Sequence, residues 1–154
     1  MKHLLHIALF GLAIITFGVS CQPNDQCYKE NIVEMSVTFK DKNKAAVTLD
    51  SVTIQGVGSD SVLYANQKSV RTVSLPLQKT QNSTQYVFCS GNLVDTLTIE
   101  HTNTENFISL ECGCFVYHTL QNIYSTGSWI DSVAIINPEI TTANAQEHIQ
   151  LFFN

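Results

Sequence analysis

Apolar and polar residues alternate one for one along Val33-Glu34-Met35-Ser36-Val37-Thr38-Phe39. That period puts Val33, Met35, Val37 and Phe39 on one face of a strand and the polar residues on the other. The same character, rich in Val, Ile, Thr, Phe and Tyr, returns in 47–55, 70–77, 84–89, 93–101, 107–120, 129–136 and 148–153. Turn-forming residues separate the runs: Asp41-Lys42-Asn43-Lys44, Gly56-Val57-Gly58-Ser59-Asp60, Gln81-Asn82-Ser83, Ser90-Gly91-Asn92, Ser125-Thr126-Gly127-Ser128 and Asn137-Pro138. No segment beyond residue 20 sustains a 3.6-residue apolar period. The pattern predicts an all-β fold of about eight strands, an antiparallel two-sheet sandwich, immunoglobulin-like or related. An outer-membrane barrel would need lipid-facing strands of about 9–11 residues almost throughout, and most of these runs are shorter.

Residues 1–20 follow a different rule. Met1-Lys2-His3 leads into an apolar run from 4 to 19, interrupted by His6, Gly11, Thr16 and Gly18. The run then meets Ser20-Cys21 and the polar stretch Gln22-Pro23-Asn24-Asp25-Gln26. A basic start, an apolar middle and small residues before a processing point predict a cleaved export signal helix. The phrase Gly18-Val19-Ser20-Cys21 resembles a bacterial lipoprotein box, with Gly18 in place of the usual leucine. Its thiol at Cys21 would carry a diacylglyceryl group and its freed amine a further acyl chain such as palmitate. Two or three chains hold a protein stably on a membrane where one would not. The expected organisation is a lipoprotein signal peptide over 1–20, a lipidated tether over 21–31 and a β-sandwich over 32–154.

The 154 residues are 44% hydrophobic and 14% charged, enough for one domain core. The formal net charge is −5, and loss of Lys2 with the signal makes it more negative. That balance argues against a nucleic-acid partner.

Export to an oxidising compartment makes disulfides the default reading of Cys27, Cys89, Cys112 and Cys114. A direct Cys112–Cys114 bond would strain a very small ring. At least one of the two is therefore expected to pair with Cys27, closing a loop of about 85 residues worth roughly 3–5 kcal/mol. Cys89 is left as a possible free buried thiol. On a single strand over 107–120, Ile108, Leu110, Cys112, Cys114 and Val116 would share a core face. The competing reading is a redox or metal site made by Cys112, Cys114 and His118, whose thiolates and imidazole are soft ligands. Their spacing matches no known zinc pattern, so no cofactor is expected.

One phrase occurs three times: Asp50-Ser51-Val52-Thr53-Ile54, Asp95-Thr96-Leu97-Thr98-Ile99 and Asp131-Ser132-Val133-Ala134-Ile135. It reads as the start of a strand, the Asp side chain bonding local backbone donors. Asp60-Ser61-Val62 is a partial fourth copy. Asp followed by Ser or Thr and an aliphatic residue also resembles an O-glycan acceptor, which makes Ser51, Ser61, Thr96 and Ser132 glycosylation candidates. No nucleophile elbow, phosphate loop or His-Glu-x-x-His motif is present. His101 ends a predicted strand and is expected to meet solvent, whereas His118 follows the core register. Glu100, Glu105 and Glu111 are scattered, and nothing marks a catalytic pair. No catalytic residue is assigned.

The stretch Leu49-Asp50-Ser51-Val52-Thr53-Ile54-Gln55-Gly56-Val57-Gly58-Ser59-Asp60-Ser61-Val62-Leu63-Tyr64, with Leu75-Pro76-Leu77 and Phe107-Ile108-Ser109-Leu110-Glu111-Cys112-Gly113-Cys114-Phe115, resembles a small uncharacterised Bacteroidetes lipoprotein family. The resemblance runs from about residue 27 to 153. It implies that Cys27 and the Cys112-Gly113-Cys114 phrase are the family's recurring cysteines and that Cys89 is an addition. It implies a lipid-anchored envelope protein and brings no activity with it. The sequence thus points to a non-catalytic binding or assembly module on the cell envelope, at the outer membrane, on a side left open. Its partners would be the membrane, through the lipid, and an envelope protein or a glycan. The alternatives are the redox or metal protein and a glycan-binding surface lipoprotein. For the latter Trp129 is the only tryptophan, and Tyr117 and Tyr124 form no evident platform.

Overall fold

Ten strands, in the order in which the chain makes them, account for the pattern above: β1 (Glu34–Asp41), β2 (Leu49–Gly56), β3 (Val62–Val70), β4 (Thr72–Pro76), β5 (Ser83–Ser90), β6 (Leu93–Ser109), β7 (Gly113–Ser125), β8 (Ile130–Ile135), β9 (Glu139–Ile140) and β10 (Ile149–Phe153). They come from a computed structural model that describes residues 33–110, 112–142 and 146–153. The signal peptide and tether expected over 1–31 lie outside the described residues, as do Cys21 and Cys27. Among the described residues no helix is long and apolar enough to cross a membrane.

The strands form two sheets, β4-β1-β10-β8 and β3-β2-β5-β6-β7-β9. Between them lies one core. Met35, Val37 and Phe39 of β1, Val73 and Leu75 of β4, and Ile149, Leu151 and Phe153 of β10 face Val52 and Ile54 of β2, Tyr86 and Phe88 of β5, and Leu97 and Ile99 of β6. Strict alternation puts every second side chain inside, so binary patterning alone builds both inner faces.

Three features depart from the expected antiparallel eight-stranded sandwich. First, β1 pairs with β10 in parallel, Val37 opposite Ile149 and Asp41 opposite Phe153. Two strands so distant in sequence need no hairpin between them, so parallel pairing is sterically free. Second, β3 is an additional edge strand on β2, its ladder broken by register shifts around Ile54. Asn66 sits at the first shift at φ of 48°, and Ser69 at φ of 56° nearer the end of β3. Third, the run 107–120 is two strands: β6 ends at Ser109, the chain turns, and β7 starts at Gly113 (φ 74°).

The two ends of the sandwich differ. At one end Asp95, at the start of β6, lies buried beside Ile130 of β8. At the other end lie the start of β1 and the ends of β2 and β4. Here Glu34 sits opposite Pro76, and Gly56 opposite Tyr86 of β5. Tyr86 Oη donates to the Pro76 carbonyl and joins the sheets at this level. Beyond this level β6 and β7 run on together.

Candidate functional site

β5 follows β6 only as far as the Ser83–Glu100 pair, and β9 borders β7 only at His118 and Thr119. From Thr104–Tyr117 to Ser109–Gly113 the β6–β7 ladder therefore has no third strand among the described residues. At about 3.3 Å per residue it makes a two-stranded arm some 20 Å long. Its apolar side chains have no core to enter. Phe107 is 64% exposed, Ile108 45% and Leu110 at the turn 91%. This corrects the expected core face of Ile108, Leu110, Cys112, Cys114 and Val116. Gly113 in the left-handed region turns the chain back, so the residues on either side of it lie on different strands.

The arm also decides the fate of the cysteines. Cys89 and Cys114 are free thiols, and no disulfide joins two described residues. This corrects the default reading of both as bridged and removes Cys114 as a partner for Cys27. Cys89 is the free thiol left open above, half-buried rather than buried. Cys89 lies opposite Val94 and Cys114 opposite Phe107. Thirteen residues along β6 separate those levels by about 40 Å, several times the reach of a disulfide. Cys112, at the turn, is disulfide-bonded, and its partner is not among the described residues. The metal or redox trio is not assembled either. Cys114 is exposed at the arm's tip and His118 is buried at its root, four residues of extended chain, about 13 Å, away. Among the described residues no group of three or more His, Cys, Asp or Glu could hold a metal ion.

At the root of the arm the inner face turns from apolar to polar. His101 and His118 are each 1% exposed, their rings edge-to-face at 5.1 Å between centroids. Asn103 Nδ2 donates to the carbonyls of Gln78 (3.2 Å), Lys79 (3.1 Å) and Gln81 (2.8 Å), which fixes its amide orientation. Its Oδ1 therefore accepts, from His101 Nδ1 at 2.9 Å and His118 Nδ1 at 2.7 Å. Both rings must then carry their proton on Nδ1. Nε2 of His101 accepts from the Thr84 hydroxyl (2.9 Å), whose oxygen takes the Gln78 N–H. Nε2 of His118 is buried with no hydrogen-bond partner. Burial holds the His101 pKa below the ordinary value against the raising effect of Asn103. Burial, His101 and Lys79 push His118 down to about 4. Both rings are neutral at pH 7, each held as its Nδ1–H tautomer by Asn103. His101, expected at the solvent, is corrected: it continues the inward series Asp95, Leu97, Ile99 of β6, and the strand runs on past it instead of ending there.

Beside this layer opens a groove of about 490 Å³ whose lining includes Ser59, Ser61, Gln78, Gln81, Gln85 and Tyr86. No charged side chain lines it. Burial and then Glu34 raise the Tyr86 pKa to about 12, so its hydroxyl stays protonated.

The glycan acceptor candidates are dispersed. Ser61 lines the groove, Ser132 is exposed on the edge strand β8, and Ser51 and Thr96 are half-buried on β2 and β6. The aromatic trio makes no platform. Trp129 packs on Phe153 at 4.6 Å, Tyr117 Oη meets Thr142, and Tyr124 stands exposed beside Glu100. Of the three Asp residues that the repeated phrase marks, Asp95 is a backbone-binding carboxylate. Oδ2 accepts the N–H groups of Ser128 (2.9 Å), Trp129 (3.1 Å) and Ile130 (3.0 Å), and Oδ1 those of Thr96 and the Thr126 hydroxyl. The arm and the polar layer were not foreseen, because both depend on where 107–120 turns.

No curated protein and no solved structure matches the chain. Residues 51–153, spanning nearly all of β2 through β10, match the family of unknown function DUF6452, and the chain belongs to that family.

Proposed function

We propose that the protein is a lipid-anchored component of the cell envelope, held at the outer membrane through Cys21, that acts as a non-catalytic binding or assembly module. The anchor rests on the apolar run of 4–19 and the Gly18-Val19-Ser20-Cys21 phrase. The binding role rests on one observation: Phe107, Ile108 and Leu110 are exposed on the part of the β6–β7 ladder that extends past the last pairs with β5 and β9. Exposed apolar side chains gathered on one projecting element mark a contact surface. The full use of the His101, Asn103 and Asp95 polar atoms in backbone and side-chain hydrogen bonds supports the same reading over catalysis. An immunoglobulin-like kinship of the sandwich belongs to this proposal too, supported by the pairing of the first and last strands.

A second reading, recognition of a glycan, is favoured by the uncharged hydroxyl- and amide-lined groove over 56–63 and 76–86. Mass spectrometry of the protein from its native membrane tests the anchor. A diacylglyceryl group on Cys21, and release of a Cys21→Ser chain from the membrane fraction, is the expected result. An unmodified Cys21 in a membrane-bound protein overturns it.

A further inference from the structure

The arm and the start of the domain point the same way. β1 runs from Glu34, opposite Pro76, toward Asp41, so the chain ahead of it leaves the sandwich at the Tyr86–Gly56 end. β6 passes that end at His101 and continues outward for eight residues. Val33, where the described chain begins, thus lies at the end from which the arm projects. Eleven residues separate Cys21 from Val33, a span of at most about 40 Å, and the arm covers about half of it. Resting on the lipid-anchor reading above, we infer that the tip of the β6–β7 arm, Phe107, Ile108 and Leu110, seats in the surface of the same bilayer that holds the Cys21 lipid.

The chemistry of the arm selects apolar insertion over attraction to anionic headgroups. Residues 102–125 include no Lys or Arg, and the chain as a whole is acidic. The occupant is the boundary between headgroups and acyl chains, where Phe and Leu side chains settle about 5–10 Å deep. Binding of this kind is insensitive to salt and does not require anionic lipid. The body would then stand with its β1-start end toward the membrane and its Asp95 end away from it.

The free, exposed thiol of Cys114, opposite Phe107, offers a reporter at the tip. The lipidated full-length protein carrying Cys89→Ser is labelled at Cys114 with an environment-sensitive fluorophore. It is then reconstituted into phosphatidylcholine vesicles with brominated acyl chains. The expected result is a blue shift and loss of emission to the bromines, both abolished by Leu110→Glu with Phe107→Glu, while the protein still floats with the vesicles. Flotation with a label that emits as in water and stays open to aqueous iodide overturns the inference and leaves the anchor standing. A dry label that the bromines do not quench also overturns it and assigns the tip to a second copy of the chain or to another protein. A chain that does not float with the vesicles overturns the anchor and the inference together.

Discussion

Asp95 is one carboxylate serving five donors, and the loop from Thr126 to Ile130 takes its shape from that single side chain. Burial acts to raise its pKa, but the hydrogen bonds from Thr126, Ile130, Trp129 and Thr96 together bring it below the ordinary carboxylate value. Replacing Asp95 by Ala strands three backbone N–H groups, and a loss of about 3 kcal/mol is expected from the urea midpoint. Asn, which keeps one acceptor oxygen, should lose about half as much. The histidines act in the same direction as this carboxylate, but through burial rather than against it. All three described histidines have pKa values below the unfolded value, mainly through burial. The unfolded chain therefore binds protons first, and stability is full above about pH 6.5 and falls as pH drops toward 4. For His118 the span from 6.5 to about 4 corresponds to roughly 3 kcal/mol. Urea titrations at stepped pH should show the loss, and His118→Phe should flatten it. His148 adds a geometric reason: its Nδ1 accepts the Ser36 N–H at 2.9 Å, which a protonated ring cannot do. At this scale the sequence exposed Asp95 through its repeated phrase. It concealed His101 because the apolar run stops at Ile99, although the inward alternation of β6 continues through the ring.

Among elements, those with an inside and an outside were legible. β1, β2, β5, β8 and β10 emerge within about two residues of the alternating runs, since burial of one face enforces the period. β3 was missed. Its sequence Val-Leu-Tyr-Ala-Asn-Gln-Lys-Ser-Val is polar and exposed over most of its length. It holds its place as an edge through β2 and through Tyr64, whose Oη accepts the Ser74 N–H at 2.9 Å across to β4. Asn66 and Ser69 kink it, which keeps that edge from templating a further strand. The arm was misread for a different reason: apolar residues at a hairpin tip alternate just as core residues do. Its independence can be measured. Gly113 has open space around it and a left-handed backbone, so Gly113→Ala meets only the conformational cost of about 1 kcal/mol. Because the arm opens without the body, amide exchange in 104–117 should speed about fivefold to tenfold while the global urea midpoint stays put. A shifted midpoint would show the arm to be integral to the core.

On the scale of the molecule the arm, the polar layer, the groove and the start of β1 gather at one end, and the Asp95 loop closes the other. None of this was visible in the sequence, because it follows from which strands become neighbours. The parallel pairing of β1 with β10 is the extreme case, joining residues more than a hundred positions apart. β10 sits inside its sheet, between β1 and β8, and gives Ile149, Leu151 and Phe153 to the core. A chain stopped at residue 147 should show no cooperative unfolding transition, since the three lost core side chains together exceed the roughly 5–15 kcal/mol that holds a domain folded. Calorimetry of that truncation checks it, and a surviving transition would mean that the larger sheet folds alone. The pairing also sets a clock. A strand made near the start of the domain must wait, unpaired on one side, for a strand made near residue 153. On the export reading proposed above, the chain thereby carries its own delay: the smaller sheet cannot close, and the chain stays threadable, until almost its whole length has been synthesised.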